Sequence, residues 1–287
     1  MSAPGTDVAT DRPVVLANLS RRGFLQGVTA LGGFVLAAGF PAVARSADPP
    51  KYGADGMPNG WVDDPLVFVA IAPDGTVSIV CHRSEMGQGV RTGMPMIVAD
   101  ELEADWKRVR VVQAPGDEKR FGNQDTDGSR STRHFFDPMR RCGAAAHTML
   151  EAAAAKRWGV PVSEVEARNH EVVHAKSGRR AGYGSLAKEA AQQPVPARDT
   201  LRLKDPSRFR YIGKGQIKLV DGPAMVTGRA RYGIDTRLPG MLHAVVARPP
   251  VYAGRVVSVD ASETLKVPGV LKVVPIDPSP APAQFNP

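Results

Sequence analysis

The sequence between residues 77 and 102 reads VSIVCHRSEMGQGVRTGMPMIVADEL. It begins with a run of β-branched residues, continues through a glycine-rich loop over residues 85–93, and then shows apolar residues at helical spacing. This spacing predicts a helix over residues 94–106, and Pro95 fits its first turn. A strand, a glycine-rich loop and a helix in this order favour an α/β fold with the loop at the helix N-terminus.

Other strands and helices are predicted around this stretch. Residues 66–81 predict a β-hairpin, because two β-branched runs flank the turn residues Asp74 and Gly75. The remaining elements, in chain order, are a strand over 109–112, a helix from Asp137 to Trp158, two short strands around Ser177 and Gly178, a helix over 184–193, and later strands over 241–246 and 256–259. Residues 114–137 have no apolar period, and the length of this loop favours a binding function.

Composition limits the class of protein. The chain has 287 residues, of which 43% are hydrophobic and 23% charged, as in globular proteins and unlike disordered ones. The 29 glycines and 25 prolines favour short strands and shaped loops over a helical bundle. The net charge of +8 is scattered along the chain, whereas a nucleic-acid-binding surface needs clustered basic residues. We therefore expect no nucleic-acid partner.

Metal-binding and nucleophilic motifs are weak. Cys81 and Cys142 are too few for a disulfide framework or a four-thiolate zinc or iron–sulfur site, and their spacing leaves open whether they pair. His170 and His174 lie in a predicted strand, where residues four apart do not share a helical face. No serine has the nucleophile-elbow pattern. The sequence therefore assigns no metal ligand and no catalytic residue.

The N-terminus has the parts of an export signal. Arg21 and Arg22 precede an uncharged stretch over residues 27–44 that ends in Ala-Val-Ala. Several glycines and Pro41 make this stretch only weakly hydrophobic, which favours a twin-arginine signal over a transmembrane helix. We expect residues 1–46 to be a twin-arginine signal peptide and the mature chain to be periplasmic. Because this route exports folded proteins, it also favours a cofactor that is inserted before export.

Two loops carry the candidate binding residues. In the first, over residues 85–89, glycines allow backbone N–H groups to approach a phosphate or a planar heterocycle, and Gln88 offers an amide donor and acceptor. This loop matches neither the Walker loop nor the dinucleotide fingerprint, so a tight structural turn is the alternative. The second loop, over residues 126–133, places hydroxyls, a glycine and two arginines before a helix. That composition suits phosphate or pterin recognition, with a polar surface loop as the alternative.

The order of these motifs resembles the molybdenum-binding subunit of the xanthine dehydrogenase superfamily, in particular the exported branch typified by the isoquinoline 1-oxidoreductase β subunit. The resemblance covers about residues 15–276. The motifs that carry it are Glu85–Gly89, Val98–Leu102, Gly128–Ser131, Arg140–Ala145, Thr227–Asp235, Pro239–Ala244 and Val267–Val270.

The resemblance implies a domain order. A portion of a molybdopterin-binding domain occupies residues 66–193, and an incomplete aldehyde oxidase/xanthine dehydrogenase hammerhead domain of α/β type occupies residues 222–276. An extended lead-in, a linker and a Pro-rich tail then occupy residues 47–65, 194–221 and 277–287. The expected fold class is α/β (α+β).

The resemblance also implies a cofactor, a molybdenum–molybdopterin cytosine dinucleotide. In this family the molybdenum centre hydroxylates an aldehyde carbon or a carbon beside nitrogen, with oxygen from water. Electrons leave through an iron–sulfur small subunit. The residues that would contact the cofactor are Met86, Gly87, Gln88, Gly89, Gly128, Ser129, Arg130 and Ser131.

One expected family feature is missing from the sequence. The family's general base is a glutamate in a Gly-x-Gly-Glu context, whereas the similar stretch here, Gly213–Gln216, ends in glutamine. Glutamine does not abstract a proton at neutral pH. Two hypotheses follow. The chain is either a truncated or split subunit, completed by a second polypeptide that supplies the C-terminal half, or an inert remnant or exported binding module without catalysis. The expected partners are that polypeptide, the iron–sulfur subunit and the twin-arginine translocase.

Overall fold

The computed structural model describes residues 60–248, 250–251, 254 and 256–276. The predicted signal peptide over residues 1–46, the lead-in up to residue 59 and the Pro-rich tail from residue 277 lie outside the described residues. The chain divides into two units between Ala230 and Arg231. Within the described ranges, no helix combines the length and the apolar character needed to cross a membrane.

A three-stranded sheet contains the predicted hairpin. Strand β1 (Val69–Ile71) pairs antiparallel with β2 (Val77–Cys81), and β2 pairs parallel with β3 (Val109–Gln113). The hairpin and the strand predicted over residues 109–112 are therefore confirmed. Parallel strands need a crossover connection, and here a helix provides it.

The short helix α1 (Pro65–Phe68) takes the place of the first predicted strand residues. The carboxylate of Asp64 accepts a hydrogen bond of 2.8 Å from the N–H of Leu66. Pro65 stands at the first helical position, where its fixed φ favours a helical turn. The cap and the proline outweigh the β propensity of the residues that follow.

Two longer helices, α2 (Val90–Glu101) and α4 (Arg130–Trp158), begin earlier than predicted, and a short helix α3 (Glu118–Phe121) precedes α4. Consequently Pro95 and Pro138 lie inside these helices, and each removes one backbone donor. Both prolines are buried, so packing in the core offsets the lost hydrogen bond. The predicted end of α4 is confirmed, because Gly159 caps it in the left-handed conformation.

Helices α2 and α4 approach each other closely at Gly143. A Cβ atom at this position would lie 2.5 Å from the carbonyl oxygen of Val98 and 2.8 Å from the Cβ of Glu101. Of the predicted apolar face of α2, Met94, Ile97, Val98 and Leu102 are buried. Its last predicted member, Trp106, is half-buried and lies beyond the end of the helix at Glu101, in a 3-10 turn. Only glycine permits this crossing, which explains why a glycine follows the Arg-Arg-Cys motif in α4.

Buried carboxylates at the end of α2 hold residues 204–212, part of the predicted linker. Asp100 is fully buried and accepts hydrogen bonds of 2.9–3.1 Å from the backbone N–H groups of residues 210–212. The ammonium of Lys204 lies 2.9 Å from the same carboxylate. Burial raises the pKa of Asp100, but these N–H groups and Lys204 lower it by more, so the net pKa falls below its usual 3.8.

The neighbouring Glu101 ties the same segment to α4. One carboxylate oxygen of Glu101 lies 2.6 Å from Nε of Arg140, and the other accepts a 2.9 Å hydrogen bond from the N–H of Lys204. The motifs over 98–102 and 140–145 therefore meet in one buried cluster. Their polar residues join α2, α4 and the 204–212 segment.

A second sheet follows α4. Strands β4 (Val165–Arg168), β5 (Glu171–His174) and β6 (Arg179–Gly182) form an antiparallel meander that leads into α5 (Tyr183–Ala190). The sequence predicted two of these strands. The additional strand arises because Asn169 and His170 adopt φ values of 49° and 70°, which turn β4 back onto β5.

His170 links this second sheet to the first. Its Nδ1 accepts the N–H of Asp105 at 3.1 Å, so its Nε2 carries the proton and donates to the carbonyl oxygen of Gly75 at 2.7 Å. Burial lowers its pKa below the usual 6.5. His170 is therefore a neutral structural histidine.

The two cysteines do not pair. Cys81 and Cys142 are free thiols, and both are buried. Burial raises the pKa of Cys81 to about 11 and also raises that of Cys142. Both side chains therefore behave as small neutral apolar groups.

The second unit has no strand in its described residues, so the strands predicted over 241–246 and 256–259 are wrong for this structure. Its described helical elements are single 3-10 turns at Gly233–Asp235 and Thr264–Lys266. Val245 and Val257 are 98% and 97% exposed. A strand forms only with a hydrogen-bonding neighbour, and the β-branched pattern supplies the propensity but not the neighbour. The short helix α6 (Gly222–Val226) precedes this unit.

We expect Gly143→Ala to lower the free energy of unfolding by about 3 kcal/mol, because the added methyl group must push α2 away from α4. Chemical denaturation measures the loss. Gly93→Ala in α2 is the matched control, since a Cβ atom there meets nothing within 4 Å. This control should be neutral or up to about 1 kcal/mol stabilising. Equal effects of both substitutions would contradict the close crossing.

Candidate functional site

The two loops predicted to bind a ligand lie side by side. The N–H of Ser84 donates to Oγ1 of Thr126 at 3.0 Å, and Nε2 of Gln124 donates to the carbonyl oxygen of His82 at 3.2 Å. The first loop leads into α2 and the second into α4. The structure therefore brings the two loops together at the beginnings of the two packed helices.

Arg83 joins the two loops and was missed by the sequence analysis. Its side chain is fully buried. Nε donates to Oγ of Ser131 at 3.0 Å, and Nη1 donates to the backbone and side-chain oxygens of Asn123 at 2.6 and 2.8 Å. The guanidinium carbon lies 4.9 Å from the ring centre of Phe135. The signal in the sequence was an arginine directly after a run of buried strand residues.

The guanidinium of Arg83 remains charged although it is buried. Burial lowers its pKa to about 10, which still leaves the guanidinium charged at neutral pH. Asp125 and Asp127 favour the charged form from a distance. Nη2 is buried without a hydrogen-bond partner in the described part of the chain. A positive charge therefore lies beneath the two loops, held by neutral oxygens.

His82, next to Arg83, belongs to the aromatic core. Its ring centre lies 5.2 Å from that of Phe68 and 4.5 Å from that of Phe135. Burial lowers its pKa to about 3, so the ring is neutral at neutral pH. Among the residues that the structure describes, no three His, Cys, Asp or Glu side chains are grouped to hold a metal ion.

The first loop is closed by its own side chains. The carboxylate of Glu85 accepts the N–H groups of Gly87, Gly89 and Arg91 at 2.8, 2.9 and 2.9 Å. Oε1 of Gln88 accepts the N–H of Met86 at 2.6 Å. The sequence predicted that N–H groups of this loop would approach a phosphate or a planar heterocycle, but in the structure those of Gly87, Gly89 and Arg91 donate to the carboxylate of Glu85. The outward surface of the loop consists of Met86, Gly87 and Gln88, which are exposed.

The second loop ends in an open helix N-terminus. Ser129, the N-cap of α4, has a φ of 59° and makes no side-chain capping hydrogen bond. Gly128 and Ser129 are exposed, whereas Ser131 is buried against Arg83. Arg130 lies 3.5 Å from Asp127. The N-terminus of a long helix favours negative charge, so Gly128 and Ser129 offer a place for a phosphate group.

Residues 219–221, from the predicted linker, border the first loop. The N–H of Val220 donates to Oγ1 of Thr92 at 2.9 Å, and Asp221 lies 3.2 Å from Nε of Arg91. A Cβ atom at Gly89 would lie 2.7 Å from Cδ2 of Leu219. Glycine at this position therefore lets the segment close against the first turn of α2.

The family model of the molybdopterin cofactor-binding domain matches residues 43–215, a range that includes both loops. The chain belongs to this family. The resemblance to the molybdenum-binding subunits of the xanthine dehydrogenase superfamily is thereby confirmed, as is the α/β fold class. In this molybdopterin-binding domain, the Val98–Leu102 and Arg140–Ala145 motifs build the helix crossing, and the two loops lie beyond it.

Named relatives are longer than this chain. Isoquinoline 1-oxidoreductase subunit beta of Brevundimonas diminuta is 36% identical over 89% of this chain and 37% of its own length. The membrane-bound aldehyde dehydrogenase [pyrroloquinoline-quinone] of Gluconacetobacter polyoxogenes is 35% identical over 91% of this chain and 33% of its own. The chain thus spans about a third of these relatives. The solved Cu,Mo-CO dehydrogenase is 22% identical with a TM-score of 0.37, over 42% of this chain and 15% of its own.

We expect Arg83→Lys to lower the free energy of unfolding by about 3 kcal/mol, because one ammonium does not reach Ser131 and Asn123 together and each hydrogen bond to a charged group contributes about 1.5–3 kcal/mol. Urea denaturation measures the difference. The exposed Arg168 on β4 provides the control, since Arg168→Lys should change stability by less than about 0.5 kcal/mol. A similarly small effect at Arg83 would show that it does not join the loops.

Proposed function

We propose that the chain binds a molybdenum–molybdopterin cofactor, in its cytosine dinucleotide form, at the two adjacent loops. One observation carries this proposal: within the matched domain, the two loops lead into α2 and α4 and are joined by the hydrogen bonds of Ser84 to Thr126 and of Arg83 to Ser131. The proposed site residues are Met86, Gly87, Gln88, Gly89, Gly128, Ser129, Arg130 and Ser131. Ser131 is buried and accepts a hydrogen bond from Arg83, so it would support the second loop from within.

The chemistry of the donor set fits an anionic, heteroatom-rich cofactor. Gly128 and Ser129 offer the open N-terminus of α4 to a phosphate group. Gln88 presents an amide on the exposed surface of the first loop, although its Nε2 also donates to the carbonyl oxygen of Ser84 at 3.0 Å. The buried charge of Arg83 adds a favourable field for an anion. When bound, the molybdenum centre would supply hydroxylation chemistry with oxygen from water.

We propose further that the chain acts as part of a periplasmic molybdenum hydroxylase for an aldehyde or an N-heterocycle. The names of the relatives, an isoquinoline oxidoreductase and an aldehyde dehydrogenase, support these two substrate classes. An iron–sulfur small subunit would accept the electrons. The described Gly213–Gln216 turn would not supply the base, because it ends in an amide, which does not take up a proton.

The second unit is a proposed contact with another part of the enzyme. Its apolar residues lie in the motifs of the expected hammerhead domain, but they have no strand partner in the described residues. Exposed aliphatic side chains without a partner mark an interaction surface. The exposed apolar residues of this unit include Ile234, Leu238, Leu242, Val245, Val256, Val257, Val259, Leu271 and Ile276.

Metal and nucleotide analysis tests the proposal on the chain purified from its host with whatever co-purifies. We expect stoichiometric molybdenum, a cytosine nucleotide after acid hydrolysis, and a second polypeptide. Pyrroloquinoline quinone in place of molybdenum would contradict the cofactor assignment. The absence of molybdenum, of a quinone and of any partner would instead favour an inert remnant or a non-catalytic binding module.

Two variants test the place of binding. Ser129→Asp adds a negative charge at the N-terminus of α4, where it suits the helix dipole but repels an anionic cofactor. We expect at least about tenfold less molybdenum in this variant, which corresponds to about 1.4 kcal/mol. Ser129→Asn is the matched neutral control, because Asn also tolerates the left-handed φ, and it should keep its molybdenum. Full molybdenum in both variants would place the cofactor elsewhere.

A further inference from the structure

The glycine-rich loop before α2 forms a small nest of backbone donors. Gly87 and Gly89 have φ values of 104° and 85°, in the left-handed region. This conformation turns their N–H groups, together with that of Arg91, toward one point. Such a cluster of N–H groups at the beginning of a helix is an anion-binding arrangement.

That point is occupied by the chain itself. Oε1 of Glu85 accepts the N–H groups of Gly87 and Gly89 at 2.8 and 2.9 Å, and Oε2 accepts that of Arg91 at 2.9 Å. All three donors thus share a single carboxylate. The guanidinium of Arg91 pairs with Asp221 at 3.2 Å, so the backbone donors are the direct partners that the structure gives to Glu85.

We propose that Glu85 is a positioning residue whose carboxylate permanently fills the anion-binding nest of the first loop. This inference rests on the proposed function and refines it. A cofactor meets the first loop through the exposed surface of Met86, Gly87 and Gln88, and its phosphate groups go to the second loop at α4. Of the proposed contacts in the first loop, Gly89 instead gives its N–H to the nest. The nest fixes the shape of the first loop and does not bind the cofactor.

The side chain of Gln88 agrees with this role. Its Oε1 accepts the N–H of Met86 at 2.6 Å, and its Nε2 donates to the carbonyl oxygen of Ser84 at 3.0 Å. The loop is thus closed at two places, by Glu85 within and by Gln88 across its base. An entering phosphate would have to expel a carboxylate that three charge-assisted hydrogen bonds hold.

Anion rescue tests the proposal on the full chain. Glu85→Ala should lower the melting temperature by about 4–10 °C, since the loss of several charge-assisted hydrogen bonds costs a few kcal/mol and 1 kcal/mol corresponds to about 2–4 °C for a protein of this size. Sodium acetate should restore part of this loss in a saturable way, because acetate refills the nest. Sodium chloride at equal ionic strength should not.

Glu189→Ala is the matched control. Glu189 is a partly exposed carboxylate that pairs with Arg157 between α5 and α4, and it accepts no hydrogen bond from the loop. Its removal should give no acetate-specific recovery. If Glu85→Ala melts like the wild type, or if acetate acts on it no better than chloride, the proposal is overturned.

A measurement on the wild type decides the matter even if Glu85→Ala does not fold. Burial raises the pKa of Glu85, but the N–H groups of Arg91, Gly89 and Gly87 lower it by more, so the net pKa lies below the usual 4.5. In an NMR titration, the amide protons of Gly87, Gly89 and Arg91 should shift together at this lowered pKa. Amide shifts that do not change through this range would overturn the proposal.

These readouts separate the inference from the proposed function. Acetate rescue and the amide titration concern the loop without any cofactor. The absence of molybdenum from the wild type would therefore overturn the proposed function, while the occupation of the nest by Glu85 would still be decided by rescue and titration. Glu85→Gln keeps the size of the side chain. If acetate rescues Glu85→Ala and Glu85→Gln binds phosphate no better than the wild type, the two results support the occupation of the nest by the side chain of residue 85.

Discussion

Helices α2 and α4 cross so closely at Gly143 that any larger residue would collide with the backbone of Val98. This contact fixes the two helices whose N-termini carry the candidate loops. The crossing is secured at its polar end by Asp100 and Glu101, which are buried and which are satisfied by Arg140 and by the 204–212 segment. Buried carboxylates with this many donors are costly to disturb, so the end of α2 is held firmly. The packing of α2 against α4 therefore fixes the position of the two loops relative to each other.

Charged side chains determine which part of the site can accept an anion. Arg83 lies buried under both loops with its positive charge, and the carboxylate of Glu85 fills the anion-binding nest of the first loop. What is left for an anion is the N-terminus of α4 at Gly128 and Ser129. The two loops therefore have different roles, although their sequences suggest similar ones. The first is a preformed surface, and the second is an open helix end.

Local patterns predicted much of this fold. The β1–β2 hairpin, the apolar face of α2 and the end of α4 at Gly159 follow from turn residues, helical spacing and capping, which act between near neighbours. The early starts of α2 and α4 were missed, because tertiary packing buries Pro95 and Pro138 within the helices. The predicted strands of the second unit did not form, because pairing depends on a partner and not on propensity alone.

In the site, too, the features set by neighbouring residues were predicted, whereas those set by distant residues were not. The glycines, Gln88 and the hydroxyls of the second loop were identified from composition, since loops before helices have recognisable residues. Arg83 was missed because its partners Asn123 and Ser131 are distant in sequence. The closure of the first loop by Glu85 is local, but only the left-handed backbone at Gly87 and Gly89 reveals it.

We propose that both loops hold one molybdenum cofactor. Anomalous X-ray scattering at the molybdenum absorption edge, from crystals of the complex purified from the host, locates the metal itself. We expect a single strong peak next to both loops, residues 84–89 and 126–131, with cofactor density that contacts Gln88 and Ser129. A peak remote from these loops, or cofactor density that contacts neither of them, would contradict it.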